Sequence, residues 1–277
     1  GALYHVISRG NAKQNIFLTD KDRSDFLDWV KDVTVTHNVI CYAYCLMNNH
    51  YHLLLETPDG NLSTAMRDLN GNYTQAFNAR HRRVGHLLQG RYKAFVIEKE
   101  TYLLEVARYI VLNPVRSGFV KYPSRWRWSS YRSTAGITKK VDGPNVSSIL
   151  SFFSKEKEKA QEVYRKFVLD GLSASDPYDG VTNGFLLGSP QFVFDIWEKT
   201  KGSEENKEHP RHERVVGRLS LQEIFSDFKT LRERDTAILL ARFRCGYLTT
   251  EIAKHLGVSR TIVGKISRGK YNVKRRR

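Results

Sequence analysis

The amino-acid sequence predicts an α+β fold: a ferredoxin-like βαββαβ unit with one extra helix, followed by small all-α segments that include a helix-turn-helix. Three observations predict it. Strand-like and helix-like periodicities alternate in that order through the first part of the chain. A polar stretch holding Gly and Pro, residues 133–144, then breaks the pattern. Beyond it the periodicity is helical.

Residues 3–8 (Leu-Tyr-His-Val-Ile-Ser) read as a strand and Arg9-Gly10-Asn11 as a turn. Thr19 or Asp20 can cap a helix in which Phe26, Leu27, Trp29, Val30 and Val33 recur at helical spacing to about His37. Residues 39–46 form a buried strand, Met47-Asn48-Asn49 a turn, and 51–56 the hairpin partner. Asn61 or Ser63 opens a second helix with Leu62, Met66, Leu69, Tyr73 and Phe77 on one face. Residues 93–97 are a short strand and 100–112 a third helix, stopped by Pro114. Residues 146–200 read as short helices interrupted over 173–184, with Phe152, Phe153, Tyr164 and Phe167 as a small core. Residues 202–212 are a linker by composition, and 219–268 are helical again. The expected division is a first domain over 1–138, a helical spacer over 139–206 and a helix-turn-helix domain over 207–277.

Composition narrows the function. The 277 residues are 40% hydrophobic, enough to bury real cores, so a globally disordered or collagenous chain is excluded. No apolar run approaches the roughly 18 residues of a membrane helix, and no signal-peptide pattern opens the chain. Three cysteines, Cys41, Cys45 and Cys245, point to a reducing compartment rather than a disulfide scaffold. The net charge of +16 points to a polyanion, with nucleic acid first. That charge is uneven: +7 over 1–138 (18 basic, 11 acidic), −2 over 139–206 (9 basic, 11 acidic) and +11 over 207–277 (18 basic, 7 acidic), ending in Lys274-Arg275-Arg276-Arg277. Two basic regions around an acidic one suit two nucleic-acid contacts joined by a spacer.

His50 and His52 stand two apart in the strand, so alternation puts both imidazoles on one face and Tyr51 on the other. Such a pair can converge on one cation, or be two ordinary strand histidines. Tyr109 and Asn113 are four apart near a helix end and share a face, or are a core tyrosine before a helix stop. Taken together, they specify a reaction. A divalent cation on His50, His52 and the Asn113 oxygen polarises a phosphodiester, and Tyr109 attacks the phosphorus. The product is a covalent phosphotyrosine, whose retained bond energy suits strand transfer.

His50-Tyr51-His52 resembles the His-hydrophobic-His motif of HUH single-strand endonucleases. Tyr4-His5-Val6-Ile7-Ser8-Arg9-Gly10-Asn11, Gly90-Arg91-Tyr92-Lys93, Arg108-Tyr109-Ile110-Val111-Leu112-Asn113-Pro114-Val115-Arg116-Ser117-Gly118 and Trp126-Arg127-Trp128-Ser129-Ser130-Tyr131 resemble one branch, the REP-associated tyrosine transposases. The resemblance spans about residues 3–131. It implies a Mg²⁺ or Mn²⁺ cofactor and cleavage of single-stranded DNA beside a hairpin. It also implies a 5′-phosphotyrosine on Tyr109, His50 and His52 as metal ligands, and Asn113 as the third. A cytoplasmic, nucleoid-associated bacterial protein is expected, without a membrane partner. It is a monomer if Tyr109 serves its own chain and a homodimer if helices are exchanged. The chain opens at Gly1, almost inside the first strand and without Met, so a preceding segment is expected to be missing.

For substrate handling, Arg9, Asn11, Arg80, Arg82, Arg83, Arg91, Tyr92 and Lys93 are DNA-binding candidates, with His81 beside them; basic groups among aromatics suit a single strand. Residues 249–266 look like a helix-turn-helix, with Ala253 letting the helices approach and Gly257 making the turn. Arg260, Thr261, Gly264, Lys265 and Arg268 then face a DNA groove, duplex or hairpin stem. Two other readings stay open: a helix-turn-helix regulator with a vestigial nuclease site, and a zinc hydrolase using His50, His52 and His81 or His86. No G-x-G-x-x-G or P-loop pattern is present.

Overall fold

The first strand, β1 (Ala2–Arg9), alternates its side chains between two covered faces of a sheet. In this computed structural model, residues 1–138, 144, 146–181, 185–200, 221–226, 230–244 and 247–267 are described. They fall into two compact units, Gly1–Gly180 with Leu187–Ser189, and the described residues of Val181–Leu186 and Pro190–Arg277. The fold is α+β, as the sequence predicts.

Helix α1 (Asp20–Thr36) follows β1, then the hairpin β2 (Ile40–Leu46) and β3 (His50–Thr57). Helix α2 (Leu62–Arg80), β4 (Lys93–Ile97) and α3 (Lys99–Arg116) complete the pattern. The strands lie in the order β2-β3-β1-β4, and β1 pairs antiparallel with both β3 and β4. A two-residue strand, Leu186–Leu187, is fifth in that order; the Glu98 amide donates to the Leu187 carbonyl at 2.8 Å.

The two faces of the sheet have different chemistry. One carries Val6, Tyr51, Leu53 and Leu55 against Phe26, Leu27 and Val30 of α1 and Met66, Leu69, Tyr73 and Phe77 of α2. Four aromatic rings, Phe17, Phe26, Tyr51 and Tyr73, meet edge to face or tilted at its centre. The other face carries Leu3, His5, His52, Leu54 and Phe95 and is covered by α3, whose Leu103, Val106, Ala107 and Ile110 are buried. The polar site is built on this second face.

Thr19 and Asp22 start α1 with a reciprocal cap: the Thr19 hydroxyl accepts from the Asp22 amide, and the Asp22 carboxylate accepts from the Thr19 amide at 2.8 Å. Asp22 is fully buried because it does more than cap. It also accepts from Arg80 at 2.6 Å and lies 2.9 Å from His81 Nε2, tying the start of α1 to the end of α2. Burial opposes its charge, but His81, Arg80 and Thr19 outweigh that and hold its carboxyl down at about 2. A carboxylate depressed in the folded state stabilises the fold above its unfolded pKa, and that stability is lost as pH falls through the folded value. The drop is worth about 2 kcal/mol between about pH 4 and pH 2. Unfolding free energies measured across that range are expected to fall by that much more in the wild type than in Asp22→Asn.

Helix α3 departs from the sequence expectation. It does not stop before Pro114 but runs to Arg116, with Pro114 buried inside it. In the last turn a proline forfeits a single bond, to the Ile110 carbonyl. The amides of Ser117 and Phe119 close the end on the carbonyls of Asn113 and Pro114, both at 2.9 Å.

The segment after α3 folds back along β2. The Leu46 amide donates to the Trp128 carbonyl at 2.8 Å, the Ser130 amide to the Tyr44 carbonyl at 3.0 Å, and the Trp126 indole to the Leu46 carbonyl at 3.1 Å. The tryptophans are packing groups: Trp128 is in the core of the first unit and Trp126 packs against it. A short helix, α4 (Tyr131–Thr134), and then α5 (Lys157–Asp170) follow. The spacer expected over 139–206 is instead divided between the units. Its part up to Gly180 packs on the first because Tyr164 is buried against Tyr131 and Phe153, and the Arg108 guanidinium lies 4.4 Å from the Phe167 ring centre. Phe152, expected in that core, is half exposed.

The second unit contains α6 (Pro190–Thr200), α7 (Leu221–Ile224), α8 (Leu231–Leu239), a π-helical turn Leu240–Arg244, α9 (Thr249–Leu256) and α10 (Arg260–Ser267). Its core is Phe225, Ile238, Ala241, Tyr247, Ile252, Ala253, Val263 and Ile266. Gly257 ends α9 at φ 63, in the left-handed region where glycine carries no Cβ penalty. The linker over 202–212, Cys245, Arg268 and the terminal Lys274-Arg275-Arg276-Arg277 lie outside the described residues. Cys41 and Cys45 are free and buried. No described helix is long and apolar enough to cross a membrane.

Candidate active site

The site starts from the pairing of β1 with β3. Register sets Arg9 opposite His50, Ile7 opposite His52 and His5 opposite Leu54. Paired and alternate residues share a face, so His50, His52 and His5 come to one side while Tyr51 turns away and donates to Asn70 at 2.6 Å. The His50 and His52 rings are 5.0 Å apart and nearly perpendicular. This is the arrangement that the His-x-His spacing predicts.

Each imidazole has a defined partner. His50 Nδ1 lies 2.7 Å from Asn49 Oδ1. The Asn49 amide is itself oriented, since its Nδ2 donates to the Lys13 carbonyl at 3.1 Å. An amide oxygen only accepts, so His50 carries its proton on Nδ1 and its Nε2 is bare. His52 Nδ1 lies 2.9 Å from His5 Nε2, whereas His52 Nε2 is buried with no hydrogen-bond partner among the described residues. Burial pushes all three histidines toward the neutral form. His5 falls to about 3, helped by Lys93; His52 falls well below the ordinary imidazole value, helped by His5 and His50; and Arg9 adds to the lowering of His50. A bare Nε2 and an orphaned buried Nε2 on neutral rings fit a divalent cation.

The third ligand is less defined. Asn113 stands one turn along α3 from Tyr109, and its described side-chain contact is with the Ser117 hydroxyl at 3.4 Å. Its ligand role rests on that helix spacing. Among the described residues no group of three His, Cys, Asp or Glu could hold a metal ion. The zinc-hydrolase reading fails on this point, because His81 is committed to Asp22 and His86 sits exposed in a loop.

Tyr109 reaches the same face from α3. Its ring meets His5 edge-on at 6.3 Å between centres, and the Arg116 guanidinium lies 4.9 Å from its own ring centre. Burial raises its phenol above the ordinary value, the Asp176 carboxylate adds to the rise, and Arg116 partly opposes it. Such a phenol is a poor nucleophile until a cation or base assists it.

Two members of the site are not singled out by the motifs. His5 is a single histidine in an apolar strand; its parity with Leu3 and Ile7 is the signal that assigns it to the His52 face. Tyr178 lies in the short turn Pro177–Gly180, in a stretch that reads as an interruption. Its hydroxyl bonds to His5 Nδ1, and its ring packs on Phe95 at 4.8 Å and Tyr109 at 5.2 Å.

A basic rim adjoins the histidines. Gly10 donates to the Asn49 carbonyl at 2.8 Å and Asn11 to the Leu87 carbonyl at 2.9 Å, so the loop after β1, the turn before β3 and the approach to β4 meet at one end of the sheet. A Cβ on Gly10 would sit 2.0 Å from the Gln14 carbonyl oxygen. Gly10→Ala must therefore shift backbone, and denaturant melts are expected to show a loss of about 1–3 kcal/mol.

On this rim Arg9 is exposed and donates to Gln89 at 3.0 Å, Asn11 and Arg82 are exposed, and Lys93 lies 4.4 Å over the Phe95 ring. Arg83 donates to Gln14 at 2.6 Å, Tyr92 is half buried 3.4 Å from the Ser63 hydroxyl, and Arg91 is exposed. Arg80 is exposed too, but its guanidinium is paired with Asp22 and Asp25. Arg260, Thr261 and Lys265 are exposed on α10 in the second unit, and Gly264 is half buried there.

Comparison with known proteins finds chains similar to the part that carries the paired histidines and the helix-borne tyrosine. Residues 1–113 match the family model described as transposase, IS200 like. A curated relative, a REP-associated tyrosine transposase from Haemophilus influenzae, is similar to this chain. It is 25% identical over 134 residues, 42% of this chain and 76% of the relative. Among solved structures, a REP-associated tyrosine transposase bound to a REP hairpin aligns over 52% of this chain and 92% of its own, with 18% identity and a TM-score of 0.43. A transposase from Deinococcus radiodurans aligns over 39% and 87%, with 20% identity and a TM-score of 0.31.

Proposed function

We propose that this protein is a metal-dependent endonuclease and strand transferase that cuts single-stranded DNA next to a hairpin through a covalent 5′-phosphotyrosine. The observation that carries the reading is the meeting of Tyr109 with the His5–His52 pair on one face of one chain. His50 and His52, with Asn113, would hold Mg²⁺ or Mn²⁺, which when bound supplies Lewis-acid polarisation of the scissile phosphate. The rest is the work of the chain. Tyr109 presents its oxygen to the phosphorus; a Tyr–O–P bond forms, the bond from phosphorus to the 3′ oxygen breaks, and that oxygen leaves as a 3′-hydroxyl after taking a proton. Because the phosphoester is kept, the 3′-hydroxyl of another strand can reverse the step and join.

Arg9, Asn11, Arg82, Arg91 and Lys93 suit the phosphates of the flanking single strand, and Tyr92 suits a stacked base. Arg80, spent on α1, serves by fixing the rim rather than by touching DNA. The exposed Arg260, Thr261 and Lys265 of α10 suit a duplex or stem contact that adds affinity without chemistry. Tyr109 resting on its own chain's His5 supports cleavage in cis, for which a monomer suffices.

The test is a denaturing gel of end-labelled hairpins carrying a library of single-stranded flanks, incubated with the protein and Mn²⁺ or Mg²⁺. A metal-dependent band of DNA linked to protein supports the reading. Binding without cleavage or adduct, across the library and both metals, turns it to a DNA-binding regulator with a vestigial site.

A further inference from the structure

We infer that His5 is a positioning residue for His52: it fixes the imidazole that would ligate the cation, and Tyr178 fixes His5 in turn. The inference rests on the reading of His50 and His52 as a cation site. It starts from proton counting. A neutral imidazole has one N–H and one bare nitrogen. His52 Nδ1 and His5 Nε2 are 2.9 Å apart and buried, so one of them carries the shared proton. If His52 Nε2 binds a cation it must be bare, and the proton then sits on His52 Nδ1 and is donated to His5 Nε2. His5 is thereby left with its own proton on Nδ1, where the acceptor among the described residues is the Tyr178 oxygen.

The opposite arrangement has His5 donating to His52 and leaves His52 with an N–H on Nε2. That N–H is buried without an acceptor and blocks the ligand position. Cation uptake and the direction of this three-member chain are thus one choice. Stacking holds the chain in place: the His5 ring lies between His52, at 5.1 Å, and Phe95, at 5.9 Å, with Tyr178 tilted across it at 5.4 Å. Outer partners of ligating histidines act in this way, fixing tautomer and ring orientation, and losing one costs about 10–100-fold in metal affinity.

The test reads metal affinity directly, by Mn²⁺ electron paramagnetic resonance titration of the full chain without DNA. His5→Leu is expected to weaken Mn²⁺ by about 10–100-fold, and His5→Gln, whose amide oxygen can accept from His52 Nδ1, to recover most of it. Tyr178→Phe is expected to fall between His5→Leu and wild type. Long-range ¹H–¹⁵N correlation of the wild type loaded with Zn²⁺ as a diamagnetic probe gives an answer that needs no variant: His5 protonated on Nδ1. Wild-type affinity in a folded His5→Leu, or His5 protonated on Nε2 in the loaded chain, overturns the inference. If His50→Ala loses Mn²⁺ while His5→Leu keeps it, the cation site stands and only the role of His5 falls. A wild type that takes up no Mn²⁺ removes both.

Discussion

Tyr109→Phe is expected to abolish both the protein–DNA adduct and strand cleavage, by on the order of 10³-fold or more, while leaving the fold and hairpin binding in place. The change deletes one oxygen from a half-buried ring. The ring contacts with His5 and Tyr178 and the Arg116 cation over its face depend on the ring and survive. No described hydrogen bond of the Tyr109 hydroxyl is required by the fold, so the thermal melt should move little. Loss of chemistry with binding retained separates a nucleophile from a packing tyrosine. The measurement is single-turnover cleavage of a flank-library hairpin beside a mobility-shift titration of the same DNA.

The second large effect is expected at the histidines. His52→Ala removes a ligand and also leaves His5 without the partner of its Nε2, so Mn²⁺ affinity should fall by more than the roughly 10–100-fold typical of an outer-shell change. His50→Ala should do the same to the metal with less cost in stability, since His50 is half exposed at the strand end whereas His52 is 5% exposed. Calorimetric titration with Mn²⁺ and thermal melts of both variants check this. Equal stability loss with unchanged Mn²⁺ binding in both would make them ordinary strand histidines.

Much of this was legible in the sequence because its elements announce themselves locally. Thr19 reads as a helix start and forms a reciprocal cap with Asp22. The period of two across His50, Tyr51 and His52 fixes which faces they take before any partner strand is known. The spacing of Tyr109 and Asn113 sets them one turn apart on α3. What the sequence concealed depends on contacts distant along the chain. His5 meets His52 across a strand pair separated by 47 residues, and Tyr178 reaches His5 from 173 residues away. Strand parity gives the face of His5 but not its partner, and Tyr178 has no local period at all. Arg80 reads as a surface base after a helix and is exposed, but the sequence did not show that its guanidinium pairs with Asp22 and Asp25. Pro114 reads as a stop, and the helix carries it because only the last turn is affected. The packing of residues 146–180 on the first unit was hidden for the same reason, since Tyr131 and Tyr164 find each other only in the fold.

The account turns on which atom takes the DNA. Two phenols stand beside His5, those of Tyr109 and Tyr178, with ring centres 5.2 Å apart. The protein should be incubated with Mn²⁺ and the hairpin library, digested, and the nucleotide-bearing peptide sequenced by mass spectrometry. A 5′-phosphate ester on Tyr109 alone is the predicted result. An ester on Tyr178, or cleavage with no protein adduct on any tyrosine, would contradict it.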